Sequence, residues 1–241
     1  TPDRGDKKSL ARYFEGIAYE YSLKTAVAEG YLCDIKAKTI PLEIDMTNVK
    51  ISVGDFQVDS IAETLEPYLP QIAESIIREA SARKTVVFCP LISIAQELAG
   101  MIPGAKEVNG TSADRKEILD WFDHAGPGAV LCNAMLLTEG WDCPSCDCVV
   151  VLRPTKVRGL YCQMVGRGTR LSPGKDHLLL LDFLWMTEKH ELCRPASLLA
   201  ENAEVAAQMT KDMEEGAGEA FDLGEEERAA AEDVVAQREE A

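Results

Sequence analysis

Thr85-Val86-Val87-Phe88-Cys89 is a short, unbroken apolar run that stops at Pro90 and gives way to a helical stretch near Ile92 to Ala99. A strand that is apolar on both faces is one buried on both faces, and helical crossovers are what cover the two faces of a parallel sheet. The same alternation recurs downstream. A short strand is expected at Ala105 to Val108 and a helix near Ala113 to Phe122, then strands at Ala129 to Cys132 and at Cys148 to Leu152. A helix around Gly159 to Val165 leads to a further run, Leu178-Leu179-Leu180-Leu181. Five strands or more, separated by helices, predict an α/β fold: a parallel sheet with flanking helices in three layers.

The composition changes on either side of this block, so the sequence divides into residues 1–82, 83–194 and 195–241. In the first zone Asp34-Ile35-Lys36-Ala37-Lys38-Thr39-Ile40-Pro41-Leu42-Glu43-Ile44 alternates like a strand. A helical stretch follows from Asp59 to Ala82, its apolar positions Ile61, Leu65, Ile72, Ile76 and Ile77, and Pro67 and Pro70 divide it. This zone reads as a linker and accessory segment. The last zone reads as an acidic helical tail: helix from Pro195 to about Glu215, a break through Gly216, Gly218 and Gly224, then a second helix rich in Glu and Ala. A solvated or partly disordered extension is the expectation for it. An electrostatic mimic or docking arm is the sharper alternative, and no residue pattern favours it.

With 46% hydrophobic and 27% charged residues, the 241-residue chain has the profile of a soluble globular protein. No apolar run approaches the roughly 20 residues of a membrane helix, and Thr1 to Lys8 lack the apolar core of a signal peptide. A cytoplasmic location and no membrane partner are therefore expected. The net charge of −16 argues at first against nucleic acid. Its distribution argues otherwise: residues 201–241 hold 14 acidic against 3 basic residues, a net of −11, whereas Arg153 to Lys175 contains six cations and no acid.

The sequence contains neither a Gly-x-x-x-x-Gly-Lys-Ser/Thr loop nor an Asp-Glu pair ending a strand, the parts that hold ATP phosphates and Mg²⁺. It does contain Gln163-Met164-Val165-Gly166-Arg167-Gly168-Thr169-Arg170. Two arginines three residues apart share a face if the segment is helical, and the glycines beside them permit close backbone approach. Phosphoryl transfer places charge on the γ-phosphate oxygens, which an arginine supplied by a neighbouring domain stabilises. The competing reading is an ordinary basic helix face.

This octet resembles motif VI of superfamily 2 helicases. Leu136-Leu137-Thr138-Glu139-Gly140-Trp141-Asp142 is similar to motif V in the form found in restriction-type and nucleotide-excision-repair helicases. Val86-Val87-Phe88-Cys89 with Pro90 resembles motif IV, and Val108-Asn109-Gly110-Thr111 with Arg115 and Phe122 resembles the strand and helix after it. Thr1-Pro2-Asp3-Arg4 is similar to the close of motif III, so the chain is expected to begin where a first RecA-like domain ends. The resemblance implies a RecA-like second motor domain. ATP and Mg²⁺ would be bound mainly by an N-terminal RecA-like domain of the same polypeptide, and the isolated chain would be inactive. Arg167 and Arg170 would reach the phosphates, with Arg170 as the finger; Gly140, Asp142, Gln163 and Gly166 would lie at the nucleotide. Asn109, Thr111, Asn133 and Thr138 would meet the nucleic-acid backbone. DEAD-box relatives place a Thr eight residues before the motif V Asp; Ala134 stands there, which weakens a phosphate contact at that point. The form of motifs V and VI points to DNA, single- or double-stranded, over RNA.

Cys143-Pro144-Ser145-Cys146-Asp147-Cys148 raises the question of zinc, but a closed site needs four ligands, and Cys132 and Cys162 lie in elements expected to be buried. We assign no metal. His124, His177 and His190 have no ligand spacing, and Trp121 and Trp185 read as core or interface residues rather than base-stacking platforms. A non-catalytic RecA-like interaction or regulatory domain is the rival to the motor-domain reading.

Overall fold

The computed structural model describes residues 21–52, 54–138, 140–186 and 192–240, without the side chains of 184–186, 239 and 240. Thr1 to Arg4, Glu139, His190 and the Trp185 side chain, all singled out above, lie outside the described set.

The chain runs through α1 (Leu23–Ala28), β1 (Asp34–Asp45), the hairpin β2 (Ile51–Ser52) and β3 (Asp55–Phe56), α2 (Val58–Leu65), α3 (Leu69–Ala80) and β4 (Thr85–Phe88). It continues through α4 (Ile92–Met101), β5 (Lys106–Val108), α5 (Arg115–His124), β6 (Val130–Asn133), β7 (Cys148–Val151), α6 (Arg158–Val165) and β8 (His177–Met186). It closes with α7 (Ala203–Glu215), β9 (Ala220–Asp222) and α8 (Leu223–Glu240). The main sheet has seven strands in the order β5-β6-β4-β7-β8-β1-β9. Every neighbouring pair is parallel except β9, which runs antiparallel to β1.

The doubly apolar strands split between two cores. Val86, Phe88, Val149, Val151, Leu178 and Leu180 face the layer formed by α5, α6, α7 and α8. Their sequence neighbours Val87, Cys89, Val150, Leu152, Leu179 and Leu181 face α2, α3 and α4. That period-2 division is what an apolar run does when both faces of the sheet are covered. Pro67 falls in a 3-10 turn, Glu66–Tyr68, between α2 and α3, and Pro70 occupies the first turn of α3, where its missing N–H costs no hydrogen bond. Four of the five apolar positions expected to be buried here are buried; Ile77 is exposed.

Residues 34–45, which composition groups with a linker, form an interior strand between β8 and β9. Its register against β8 jumps from Ile40 opposite Phe183 to Glu43 opposite Leu184. Pro41, which has no N–H to give the ladder, lies in that bulge. Because two residues are inserted, the alternation stays in phase and Ile40 and Ile44 bury on the same face.

The acidic tail is folded and packed, contrary to the expectation of a solvated extension. Val205, Met209 and Met213 of α7 and Leu223, Ala230 and Val234 of α8 enter the same core as β4 and β7, while Phe221 pairs with Ala37 of β1. A periodic minority of apolar residues suffices to dock a helix whose other face is charged. Glu227, only 3% exposed, is neutralised by Lys24 of α1 at 2.9 Å.

Candidate nucleotide and nucleic-acid site

The candidate residues follow the carboxyl ends of β5 and β6 and the end of α6. Parallel α/β sheets build their sites from such loops. β6 ends at Asn133, and the chain turns sharply: Met135 takes a left-handed conformation, φ 64°, which is uncommon for a side chain of that size and stores of order 1 kcal/mol of strain. The Met135 carbonyl accepts a 2.6 Å hydrogen bond from Thr138 Oγ1, closing the 3-10 turn Leu136–Thr138. Gly140, exposed and at φ 70°, then sends the chain towards Trp141 and Asp142; a side chain there would meet no neighbour, so conformation alone explains the glycine.

Asn133 is fully buried. Its Nδ2 donates to the Val87 carbonyl at 2.9 Å and its Oδ1 accepts from Leu137 N at 3.2 Å, so one side chain ties β4 to β6 and fixes the start of the turn. Thr138 is likewise buried. The structure thus withdraws both side chains from the surface on which contact with nucleic acid was expected. Asn109, 5% exposed, is also turned inward: its Oδ1 accepts from Thr111 N and Thr111 Oγ1 at 2.8 and 2.7 Å, and its Nδ2 donates to the Glu107 carboxylate. Thr111 is the exposed member of the four.

The two arginines do not share a helical face. α6 stops at Val165, and Gly166–Gly168 form a 3-10 turn, so the two side chains diverge. Arg167 folds back over the β6 turn and donates from Nε to the Thr138 carbonyl at 3.1 Å and from Nη1 to the Trp141 carbonyl at 2.7 Å; Nη2 also donates to Thr138. Arg170 keeps a side chain 36% exposed and reaches Asp142 Oδ1 at 2.5 Å. The segments that resemble motifs V and VI therefore meet through both arginines, one clasping backbone and the other paired with a carboxylate. Gln163 is half-buried on α6, before these residues. Gly166 has no positive φ, and a β-carbon added to it would find no neighbour within 4 Å. Gly168 has no room for one: a β-carbon there would stand 2.4 Å from Leu178 Cδ1 and 2.9 Å from Val149 Cγ2.

Lys175, read from sequence only as one cation of a basic window, is the main fastener of this loop. Its ammonium donates to the carbonyls of Gly168 and Cys146, both at 2.6 Å, and lies 2.9 Å from Arg170 O and 3.1 Å from Pro144 O. Burial pulls its pKa below the usual lysine value. Cys33, at the entry to β1, donates its N–H to the Thr169 carbonyl at 2.8 Å. The only sequence signal for Lys175 is its place after the Pro173-Gly174 turn and two residues before a strand. Arg158 donates to the Ser197 carbonyl at 2.9 Å, so four of the six cations of the basic window are committed within the fold.

Cys143, Cys146 and Cys148 are buried thiols. Burial pushes Cys148 up to about 12 and Cys146 well above the ordinary thiol value, and among the described residues no group of three or more His, Cys, Asp or Glu could hold a metal ion. Among the described residues no helix is long and apolar enough to cross a membrane.

Residues 68–172 match the family model described as helicase conserved C-terminal domain. The chain is 30% identical over 201 residues to the Saccharomyces cerevisiae protein named as ATP-dependent helicase IRC3; the match covers 76% of this chain and 28% of that protein, so the chain spans under a third of its relative. A fragment of an HsdR subunit of a type I restriction enzyme from Vibrio vulnificus YJ016 superposes with a TM-score of 0.61 at 24% identity, over 76% of this chain and 38% of the other. The type ISP restriction-modification enzyme LlaBIII, in a structure bound to DNA, gives 0.51 at 17% identity, over 80% of this chain and 15% of the other. The parallel sheet and the joined turns are thus those of a RecA-like α/β fold, and residues 68–172 are similar to the conserved C-terminal domain of helicases.

Proposed function

We propose that this chain is the second motor domain of an ATP-dependent helicase or translocase acting on DNA, and that Arg170 is the finger it presents to an ATP site shared with an N-terminal RecA-like domain. The observation that carries this reading is the division of labour between the arginines. Arg167 spends its donors on the Thr138 and Trp141 carbonyls, which makes it a brace for the β6 turn. The guanidinium of Arg170 pairs instead with Asp142, whose side chain is 64% exposed. An exposed pair of this kind stabilises by about 0–1 kcal/mol, so exchanging the carboxylate for phosphate oxygens costs little. Against a γ-phosphate that accumulates charge during transfer, such an arginine is worth roughly 10³ to 10⁵ in rate. Gly166 and Gly140 leave open space beside it in which a nucleotide can approach the backbone.

In this scheme ATP and Mg²⁺ are held mainly by the other domain, the Mg²⁺ neutralising phosphate charge, and the isolated chain hydrolyses no ATP. DNA is carried over from the form of motifs V and VI and from the DNA-bound state of LlaBIII. We place its backbone contact at Thr111, with Asn109, Asn133 and Thr138 shaping the loops beneath it. Contacts of that type read sugar and phosphate rather than sequence. The test is Arg170→Ala in the full-length protein. DNA-stimulated ATPase should fall about 10³-fold with the thermal midpoint unchanged; near-normal turnover would remove the finger assignment and favour a non-catalytic interaction domain.

A further inference from the structure

The backbone of the arginine loop is held by inward hydrogen bonds, and most converge on one ammonium group. Lys175 Nζ reaches four carbonyls on two segments: Pro144 and Cys146 on the stretch between motif V and β7, and Gly168 and Arg170 on motif VI. An ammonium carries three protons, so four acceptors more than saturate it. The Thr169 carbonyl between those two is taken by Cys33 N–H, and Gly168 is wedged against Leu178 and Val149. Three successive carbonyls, 168 to 170, thus point into the protein. The residue whose carbonyl ends this series is Arg170, whose guanidinium pairs with Asp142, two residues before Pro144.

We propose that Lys175 is a positioning residue for Arg170: by fastening the 168–170 backbone to the 144–146 segment, it sets where the guanidinium can reach when the second RecA-like domain closes over nucleotide. Lys175 touches neither nucleotide nor nucleic acid in this role. The inference rests on the finger assignment to Arg170. The physical reason it matters is that a charged group off by about 1 Å loses roughly a hundredfold in rate, while three ammonium protons shared among four carbonyls hold a loop that beyond Gly168 has no regular secondary structure of its own.

Lys175→Met removes the donors and keeps the length of the side chain. In the full-length protein we expect the DNA-stimulated kcat to fall between about tenfold and a hundredfold, with the KM for ATP within twofold of wild type, measured at a temperature where circular dichroism shows the variant folded. A merely structural lysine would lower the melting temperature and leave kcat of the folded enzyme alone. In parallel, amide exchange on this chain should speed up at residues 168–171 and 145–146 and stay unchanged at β4 and β6. If Lys175→Met does not fold, Lys175→Arg keeps the charge with a different donor geometry and is held to the same split between kcat and KM. Wild-type kcat in the folded variant, with Arg170→Ala inactive, would overturn the positioning role alone. Wild-type turnover in both would overturn the finger reading and this proposal with it.

Discussion

Gly168 lies so close to Leu178 that a β-carbon on the glycine would stand 2.4 Å from Leu178 Cδ1, well inside any contact that real side chains make. The second glycine of the Gly-Arg-Gly turn is therefore demanded by packing of the motif VI loop on β7 and β8, independently of any ligand.

Gly168→Ala should accordingly destabilise the domain by about 1–3 kcal/mol, the usual cost of overpacking a filled core. Urea unfolding of this chain measures it. Gly166→Ala provides the contrast: with nothing within 4 Å of the added carbon and φ at −58°, it should leave stability within about 0.5 kcal/mol. Equal effects at the two sites would contradict the packing account.

The sheet was legible because its strands are apolar on both faces, and Val86 through Phe88 or Leu178 through Leu181 have few other ways to bury themselves. β1 was legible as a strand and not as a member of that sheet. Lys36, Lys38 and Pro41 interrupt its apolar pattern, and a strand beside the sheet's rim tolerates this because its polar side chains reach the edge: Lys38 pairs with Glu79 at 2.8 Å. The three residues of β9 carry no periodic signal at all. At the site, the segments that resemble the motifs stand out in the sequence, but spacing does not tell Arg167 from Arg170. The difference arises where α6 gives way to a 3-10 turn at Gly166, and a helical template extrapolated through glycine misses it. Asn133, Asn109 and Thr138 are read as nucleic-acid contacts only through the resemblance to the helicase motifs. For Asn133 the burial goes with a carbonyl partner, Val87, 46 positions away in sequence, and no local pattern reports that.

Asn133→Ala tests the buried brace. Removing the side chain leaves the Leu137 N–H without its 3.2 Å partner at a buried position and takes the 2.9 Å side-chain donor from the Val87 carbonyl, which keeps its place in the β4–β6 ladder, and an unsatisfied buried group costs about 1–3 kcal/mol. We expect a loss of about 1–3 kcal/mol in unfolding free energy. A loss under about 1 kcal/mol, together with weakened DNA binding by the folded full-length protein, would return Asn133 to the nucleic-acid surface.

His177 supplies a pH dependence whose sign follows from its surroundings. Its Nε2 lies 2.8 Å from Arg83 Nη2 at the start of β8, and since a guanidinium only donates, that nitrogen must accept and the ring must be neutral. Burial first, then the positive charges of Arg83 and Lys36, pull the His177 pKa below 6.5, against a smaller opposing pull from Asp176 and Asp147. The unfolded chain, with an ordinary histidine, therefore binds more protons than the folded one between the depressed value and about 6.5, and stability rises with pH across that window. Above about 6.5 both states are neutral at this residue and its contribution is complete; below the depressed value both are charged and it is lost. Urea midpoints taken at intervals from about pH 5 to pH 8 should climb up to about pH 6.5 and then level as far as His177 is concerned. His177→Asn, which keeps an acceptor for Arg83 without a titrating ring, should flatten that rise, and an unchanged slope in the variant would assign the pH dependence to other groups.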